Sequence, residues 1–513
     1  MLTSNVEIDR LNEVQLRELT AALIKDLKAK QALIDRLTHE MAIIKRLRFA
    51  AKSEQFNAHQ RSLFEEDSDV DLEVLAQELE PLRQETSNAQ PQKPKRQALP
   101  ADLPRREVRH EPTQTVCTCG CSLKRIGEDV AEKLDYTPGQ FTVERHVRGK
   151  WVCNQCETLV QAPVPAHVID KGIPTAGLLA QVLVAKYIDH LPLYRQESIF
   201  ARAGFAIPRS TTAQWVGSVG VALMPLVQAM QAALLSRQVL HVDETPVSML
   251  SPGKGKTHRA YLWSYCTTAY DPIAAVVFDF ADSRAGKHAR EFLGFDDERP
   301  ELGWRGTLVC DDYSGYKALF PKGVTEAGCL AHARRKFFDL WANHKSGIAE
   351  EAIKLFARLY EVEATLKDLD PDERRRRRQQ DAKPAAETLH RWLIGHRLKV
   401  PDGSAIARAI DYSLSRWTAL TRYIDTGDLP ADNNRVENLI RPIALGRSNW
   451  LFAGSLRAGK RAANIMSLLH TARINGHEPH AYLKDVLERL PTHPANRIEE
   501  LLPYNWQPPS LAD

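Results

Sequence analysis

Two aspartates in the second half of the chain follow short apolar segments that are typical of β-strands. Asp243 comes after Val239–Val242, and Asp311 comes after Thr307–Cys310. In sheets that are covered by helices, binding sites form at the strand ends and in the loops beyond them. An aspartate at a strand end also commonly starts a turn. The positions of Asp243 and Asp311 are therefore compatible with a binding site or with an ordinary turn.

A third carboxylate, Glu437, lies in a segment with helical periodicity that Asp432 is placed to cap. The buried face of this helix is marked by Val436, Leu439 and Ile440. A surface ion pair with Arg441, one helical turn on, is the alternative to a functional role. With Asp243 and Asp311, Glu437 would form an all-oxygen site suited to Mg²⁺ or Mn²⁺. Such ions activate an attacking oxygen and stabilise a leaving one in phosphoryl transfer.

The segments around these carboxylates predict a mixed sheet covered by helices. Three β-branched or aromatic runs come in succession, then a helix, then a fourth run that ends before Asp311. These elements are Gln238–Asp243, Ala260–Cys266, Ile273–Phe278, the helix Arg284–Leu293 and Gly306–Cys310. Helical periodicity then dominates 331–430, where we expect the arginine-rich run Asp372–Arg378 to lie exposed.

Five of the eight cysteines lie between positions 117 and 156, a clustering typical of metal ligands in a reducing compartment. Cys153 and Cys156 have the Cys-x-x-Cys spacing of a zinc knuckle. The first cluster offers three more thiols, Cys117, Cys119 and Cys121. We expect a zinc ribbon over 110–165 in which four of the five cysteines bind one structural Zn²⁺. Core cysteines without a metal are the alternative.

The N-terminal residues 1–56 are expected to form a leucine-zipper-like coiled coil. Its heptad seam consists of Leu16, Leu23, Leu27, Ile34, Leu37, Met41 and Ile44. Such a seam predicts a homo-oligomer, and one amphipathic helix packed on its own chain is the alternative. Residues 57–109 follow as an acidic and then basic linker. We expect this linker to be disordered because it has almost no aromatic residue with which to bury a core.

Residues 166–235 are predicted to be helical, with helices over 176–190 and 194–223. The second helix is interrupted at Gly204–Pro208, after which Ser210 or Thr211 is placed to cap a new helix. This arrangement resembles a helix-turn-helix, whose leading end would carry Arg209 and Gln214 to DNA. Ordinary packing of helices explains the pattern equally well.

Length and composition bound the remaining choices. With 513 residues the chain is too long for one small domain, and 43% hydrophobic with 26% charged residues is typical of a globular protein. A net charge of +4 is too small for a polycation, so DNA affinity would come from local basic clusters. No apolar run reaches the roughly 18 residues of a membrane span, and the chain does not start with a secretory signal. These features predict a cytoplasmic protein without a membrane partner.

Five motifs in the second half of the chain belong together. They are His241–Pro246, Asp311–Tyr316, Gly328–Phe337, Asp432–Glu437 and Gly446–Gly454. In this order they resemble the transposases of the insertion sequence 66 family, bacterial mobile-element enzymes with a DDE catalytic domain. The resemblance covers nearly the whole chain. It implies a ribonuclease H-like catalytic domain over 236–470, with a helical insertion at about 340–430, and a C-terminal segment over 471–513.

The resemblance also implies roles for particular residues. Asp243, Asp311 and Glu437 would hold two metal ions. Asp312 stands where the family usually has glycine, and strand register favours Asp311 as the ligand. Candidate contacts to the DNA backbone near these carboxylates are His332, Arg334, Arg335, Lys336 and Arg441.

The expected function is that of a bacterial, nucleoid-associated DNA transposase. It would bind the terminal inverted repeats of its element, cut DNA with metal-activated water, and join the freed 3′-hydroxyl to target DNA. Accessory proteins from the same element are candidate further partners. Two rival functions are a zinc-ribbon DNA-binding regulator and a nuclease without strand-transfer activity.

Overall fold

The computed structural model describes residues 99, 101, 103–111, 123–137, 139–169, 172–251, 256–296 and 299–508. These residues form two β-sheets and many helices, so the predicted mixed α/β class is confirmed. The coiled coil predicted over 1–56 lies outside the described residues.

The first sheet contains β1 (Arg105–His110), β2 (Leu123–Thr137), β3 (Gln140–Cys153) and β4 (Leu159–Gln161). Strands β2 and β3 form a long antiparallel hairpin, β1 runs parallel to β3, and β4 turns back on β3. The predicted boundary of the disordered linker at residue 109 is thus wrong, because residues 105–109 belong to β1. Their backbone bonds to β3 supply order that the linker's composition did not indicate.

Four helices separate the two sheets in the chain. They are α1 (Ala176–Tyr187), α2 (Leu193–Arg202), α3 (Arg209–Ala222) and α4 (Met224–Leu235). The predicted caps Ser210 and Thr211 are wrong, since α3 begins at Arg209 with Pro208 as its N-cap and no side-chain cap bond. The proline ring holds φ at −56°, which directs the chain into the helix without a side-chain acceptor.

The second sheet has the strand order β7-β6-β5-β8-β9, with β10 beside β5. Its strands are β5 (Val239–Ser251), β6 (Lys256–Thr267), β7 (Val276–Ala281), β8 (Thr307–Cys310), β9 (Thr325–Gly328) and β10 (Phe452–Ala453), and α5 (Lys287–Phe292) precedes β8. Strand β6 is antiparallel to both β5 and β7, whereas β8 pairs in parallel with both β5 and β9, and β10 pairs in parallel with β5. This is the predicted succession of three strands, a helix and a strand.

A helical layer packs against β8 and β9. Its helices are α6 (Leu330–His344), α7 (Gly347–Ala364), α8 (Pro371–Arg377), α9 (Lys383–Arg397), α10 (Ala405–Ser415) and α11 (Trp417–Thr421). Phe337, Phe356 and Leu389 are buried in a core that also includes Val309 of β8. One π-helical turn over Arg378–Ala382 joins α8 to α9.

The expectation of an exposed arginine run is wrong for two of its members. Arg374 and Arg378 are 4% and 0% exposed. Arg378 pairs with Glu363 at 2.6 Å and donates to three carbonyls, of Tyr423, Thr426 and Leu429. Residues four apart share a helix face, so this pair turns inward and ties α7 and α8 to the segment before Glu437.

Three helices complete the fold: α12 (Asn434–Trp450), α13 (Leu456–Ile474) and α14 (Pro479–Arg489). Helix α13 runs along the outer edge of β7, where the hydroxyls of Ser467 and Thr471 accept hydrogen bonds from the backbone of Phe278 and Val276. These side chains pair an edge that would otherwise be a template for another strand. Helix α13 also continues across the boundary that the sequence placed at residue 470.

In the described parts of the chain no single helix is long and apolar enough to cross a membrane. The bent pair α3 and α4, with 43° between the two axes, passes that length and composition test only when taken together.

Candidate active site

Asp243 lies where β5 extends beyond its neighbour β8. The parallel register pairs Val239 with Thr307 and His241 with Val309, and its continuation sets Asp243 beside Asp311. Asp243 is inside β5 rather than after its end, because β5 runs on in a hairpin with β6. The two aspartates meet at the carboxyl end of β8, the edge at which sites form in such sheets.

The Asp243 carboxyl is buried among other acidic groups. Burial raises its pKa to about 8, and the carboxylates of Glu244, Glu437 and Asp311 contribute to the rise. A carboxyl with this pKa is largely protonated near neutral pH unless a cation offsets the repulsion. The surroundings of Asp243 therefore favour a positively charged ligand.

Glu437 lies in the first turn of α12 and interacts with α6. Its Oε1 is 3.4 Å from Nδ1 of His332, and its Oε2 accepts a hydrogen bond of 3.4 Å from Arg335. These partners differ from the suggested ion pair with Arg441, which is exposed further along α12. Glu437 also acts electrostatically on Asp243, so the structure brings the third carboxylate to the two aspartates.

Asn433, which the sequence analysis missed, fastens the start of α12 to β5. Its side-chain nitrogen donates to the carbonyl of Val242 at 2.8 Å, and its side-chain oxygen is 2.8 Å from Nδ1 of His241. Burial lowers the pKa of His241 to about 4. The imidazole therefore stays neutral and donates through Nδ1. Asn433 lies within the motif Asp432–Glu437, and this membership was the one feature of the sequence that could have marked it as functional.

Asp311 and the neighbouring Asp312 have different surroundings. Oδ1 of Asp311 accepts the backbone N–H of Tyr313 at 2.9 Å. Oδ1 of Asp312 lies 2.6 Å from Arg416 and 3.2 Å from Lys317. The charge of Asp312 is thus balanced in ion pairs, while the charge of Asp311 acts on Asp243.

A fourth carboxylate, Glu244, was also missed. Its side chain is 1% exposed, lies 2.6 Å from Arg284 and accepts a hydrogen bond from the Tyr316 hydroxyl. Burial raises the pKa of Glu244, against the opposing effects of Tyr316 and Arg284. Successive side chains of a strand point to opposite faces, so adjacency to Asp243 in sequence did not reveal these partners.

Comparison with known protein families shows which family carries these carboxylates. A family model described as "Transposase IS66 family" matches residues 171–461, more than half of the chain. This match includes all four carboxylates. The chain belongs to the IS66 transposase family. The resemblance that the five motifs suggested is confirmed.

Three further family models match the rest of the chain. They are described as the IS66 C-terminal element, over residues 467–504, the zinc-finger binding domain of transposase IS66, over 114–157, and the Transposase C of IS166 homeodomain, over 36–108. The last two matches indicate DNA as a partner of this IS66 family member and support a structural zinc. The DDE type of the family implies a divalent metal.

The chain is also similar to curated proteins of Sinorhizobium fredii. The uncharacterized protein y4hP is 36% identical over 444 residues, which cover 82% of this chain and 78% of that protein. The uncharacterized protein y4qI is 34% identical over 503 residues, which cover 94% of this chain and 91% of that protein. The similarity to y4qI extends over almost the full length of both proteins.

The basic residues predicted to contact DNA lie on three helices of this IS66 family member. His332, Arg334, Arg335 and Lys336 occupy the first two turns of α6. Arg335 is exposed, and the Lys336 ammonium lies 4.3 Å from the centre of the Tyr412 ring. Of these residues, His332 and Arg335 contact Glu437. Arg441 is one turn beyond Glu437 on α12, and Arg209 and Gln214 are on α3.

The predicted zinc ligands of the IS66 zinc finger are described in part. Cys153 is buried at the end of β3, and Cys156 is exposed in the turn that leads to β4. The Cys156 thiol lies 3.1 Å from the Thr158 hydroxyl. Cys117, Cys119 and Cys121 lie outside the described residues, so the choice of four ligands stays a prediction.

Proposed function

We propose that this protein is a DNA transposase that binds the terminal inverted repeats of its element, cleaves DNA strands and joins the freed ends to target DNA. The observation that supports this proposal is the convergence of Asp243, Asp311 and Glu437 from β5, the end of β8 and α12. Three elements far apart in sequence supply one acidic cluster, which is the arrangement that two-metal phosphoryl transfer requires.

The catalytic domain of this proposal is ribonuclease H-like. Its support is the strand order β7-β6-β5-β8-β9, with a three-stranded antiparallel half and two parallel strands on the other side. The helices α7 to α11 lie within the range of the insertion expected at about 340–430, and α12 then brings Glu437 to the sheet.

The side chains fit hard divalent cations. Asp243, Asp311 and Glu437 offer only carboxylate oxygens, the ligands of Mg²⁺ and Mn²⁺. Burial raises the pKa of Asp243 to about 8, and the charges of Glu244, Glu437 and Asp311 add to the rise, so a bound cation would favour its ionised form. When bound, the two ions would activate the attacking oxygen and stabilise the leaving oxygen of the DNA backbone.

The protein's own part of the reaction is to position these groups. Asn433 holds the start of α12 against β5, and thereby sets Glu437 relative to Asp243. Arg335 holds one oxygen of Glu437 from α6. The charge of Asp312 is balanced by its ion pair with Arg416, so Asp311 is the proposed second metal ligand.

Basic side chains near the carboxylates would hold the DNA backbone. His332, Arg334, Arg335 and Lys336 on α6 and Arg441 on α12 are the proposed phosphate contacts there. Arg209 and Gln214 at the start of α3 are the proposed contacts to the terminal repeats. Phosphate contacts position the duplex, and contacts to base edges specify it.

The N-terminal third would organise the assembly. In the proposal, residues 1–56 form a coiled coil that joins protein copies, and four of Cys117, Cys119, Cys121, Cys153 and Cys156 bind one Zn²⁺. Accessory proteins of the same element are proposed further partners. The DNA substrate would place the protein at the bacterial nucleoid.

A strand-transfer assay tests the proposed function. The full-length protein is mixed with a duplex that carries one terminal repeat, a plasmid target and Mg²⁺. We expect the 3′-hydroxyl of the repeat end to become covalently joined to the plasmid. Cleavage without joining would indicate a nuclease, and binding without either reaction would indicate a regulator; each result would overturn the transposase assignment.

A further inference from the structure

A cysteine, a histidine and a glutamate converge at the start of α6. Cys329 is the N-cap residue of α6, His332 lies in its first turn, and Glu437 approaches from α12. One ligand atom from each residue lies within 4.8 Å of the other two. Sulfur, nitrogen and oxygen donors are thus present in one place, next to the all-oxygen set of carboxylates.

Two of these donor atoms are buried without a hydrogen bond. Within the described part of the chain, Nδ1 of His332 and Oε1 of Glu437 have no hydrogen-bond partner, although they are only 3.4 Å apart. Donors about 2.0–2.2 Å from a tetrahedral ion lie roughly 3.4 Å from one another. The spacing of the two atoms is therefore that of ligands to a shared ion.

The third donor is held in place by the backbone. Cys329 is fully buried, and its sulfur accepts the N–H of Asn433 at 3.2 Å. A hydrogen bond from a backbone N–H stabilises the charged form of an acceptor. Burial nevertheless raises the pKa of the Cys329 thiol to about 12, and the N–H contact only opposes that rise. Because the thiolate is the form of cysteine that binds metals, binding of an ion here would release the thiol proton.

We propose that Cys329, His332 and Glu437 bind a transition-metal ion of the zinc class. Thiolate and imidazole donors favour Zn²⁺ and Co²⁺ over Mg²⁺, which prefers oxygen alone. Three protein ligands leave a fourth tetrahedral position for water or another oxygen. The side chains of His332 and Glu437, 28% and 22% exposed, give an ion access from solvent.

This site shares Glu437 with the proposed catalytic set and His332 with the proposed phosphate contacts, but metal binding to it can be measured in the absence of DNA. It is also distinct from the zinc finger, whose predicted ligands lie between Cys117 and Cys156. A binding measurement without DNA therefore tests this inference separately from the proposed function.

Cobalt binding to the full-length protein provides the test. The protein is prepared with zinc in its zinc finger and titrated with Co²⁺ alone, and the absorption band of a cobalt–thiolate bond is recorded. The variants are Cys329→Ser and His332→Asn, and the matched control is Cys266→Ser, which removes a buried thiol on β6.

We expect wild type and Cys266→Ser to bind one Co²⁺ with a thiolate band that Cys329→Ser lacks. His332→Asn keeps the thiol and should weaken binding at least about tenfold. The proposal is overturned if wild type shows no band beyond that of Cys329→Ser. It is also overturned if His332→Asn binds Co²⁺ as tightly as wild type.

Discussion

The side-chain oxygen of Asn433 accepts a hydrogen bond of 2.8 Å from Nδ1 of His241, across 192 positions of sequence. This bond joins the strand that carries Asp243 to the helix that carries Glu437. The position of Glu437 relative to Asp243 thus depends on a neutral amide and a neutral imidazole. Neither group belongs to the proposed DNA contacts.

Replacing Asn433 by alanine should separate α12 from β5. It leaves buried Nδ1 of His241 and the carbonyl of Val242 without partners, which costs about 1–3 kcal/mol each. We expect a lower free energy of unfolding in urea and reduced strand transfer, with binding of terminal-repeat DNA retained. The control is Asn434→Ala, because Asn434 is exposed and, among the residues that the structure describes, its side chain bonds only to Asp432. Equal behaviour of the two variants would contradict this role.

The raised pKa of Asp243 makes stability depend on pH. Its folded-state pKa of about 8 lies above the ordinary value of 3.8. The folded state therefore holds the proton more tightly, and this stabilisation is complete below about pH 4 and is lost as the pH rises through about 8. Asp243→Asn has no such proton.

Without added divalent ions, Asp243→Asn should therefore gain stability over wild type as the pH rises from acid to about 8. The gain should be at least about 1.4 kcal/mol, the equivalent of one pKa unit. Chemical unfolding at a series of pH values measures it. Parallel stability curves for the two proteins would show that Asp243 ionises normally.

The edge of β7 depends on one hydroxyl in particular. Thr471 accepts from the N–H of Val276 at 3.1 Å and donates to its carbonyl at 3.0 Å. Thr471→Val keeps the shape and leaves both groups unpaired, so we expect a loss of about 1–3 kcal/mol. Thr421→Val is the control, because that hydroxyl donates within its own helix, to Trp417. Similar unfolding midpoints for both variants would rule out the capping of β7.

The buried Arg378 should be far more sensitive than its neighbour Arg377. Arg378→Met leaves Glu363 without its cation in a buried position, which costs about 3–5 kcal/mol. Arg377 is 40% exposed, and its one ion pair within the described part of the chain is with Asp381, one turn on. Arg377→Met should therefore change stability by less than about 0.5 kcal/mol. Urea unfolding of the two variants compares them directly. The interpretation fails if both lose the same stability.

The strands and the three carboxylates could be predicted because their signals are local. Val239–Val242 and Thr307–Cys310 are apolar runs of strand type, and the position of each aspartate follows from the run before it. The helix of Glu437 likewise shows its buried face within two turns.

The features that the sequence did not reveal depend on distant partners. Asn433 has no periodicity that marks its contacts with His241 and Val242. Arg374 and Arg378 belong to a run of like charges that resembles a solvated surface. The acceptors that bury them come from α7, from the loop between α7 and α8, and from the segment before Glu437. Strand β1 has an unremarkable composition and is ordered by pairing with β3.

The assignment of Asp311, and not Asp312, as the second catalytic carboxylate offers the most direct test of the account. Asp311→Asn and Asp312→Asn are isosteric and remove the same charge from adjacent positions. Strand transfer of a terminal-repeat end in Mg²⁺ is measured for both, with DNA binding as the check on folding. We predict that Asp311→Asn binds the repeat and loses joining by several orders of magnitude, while Asp312→Asn retains most of its joining activity. Loss of joining in Asp312→Asn with activity retained in Asp311→Asn would contradict the assignment.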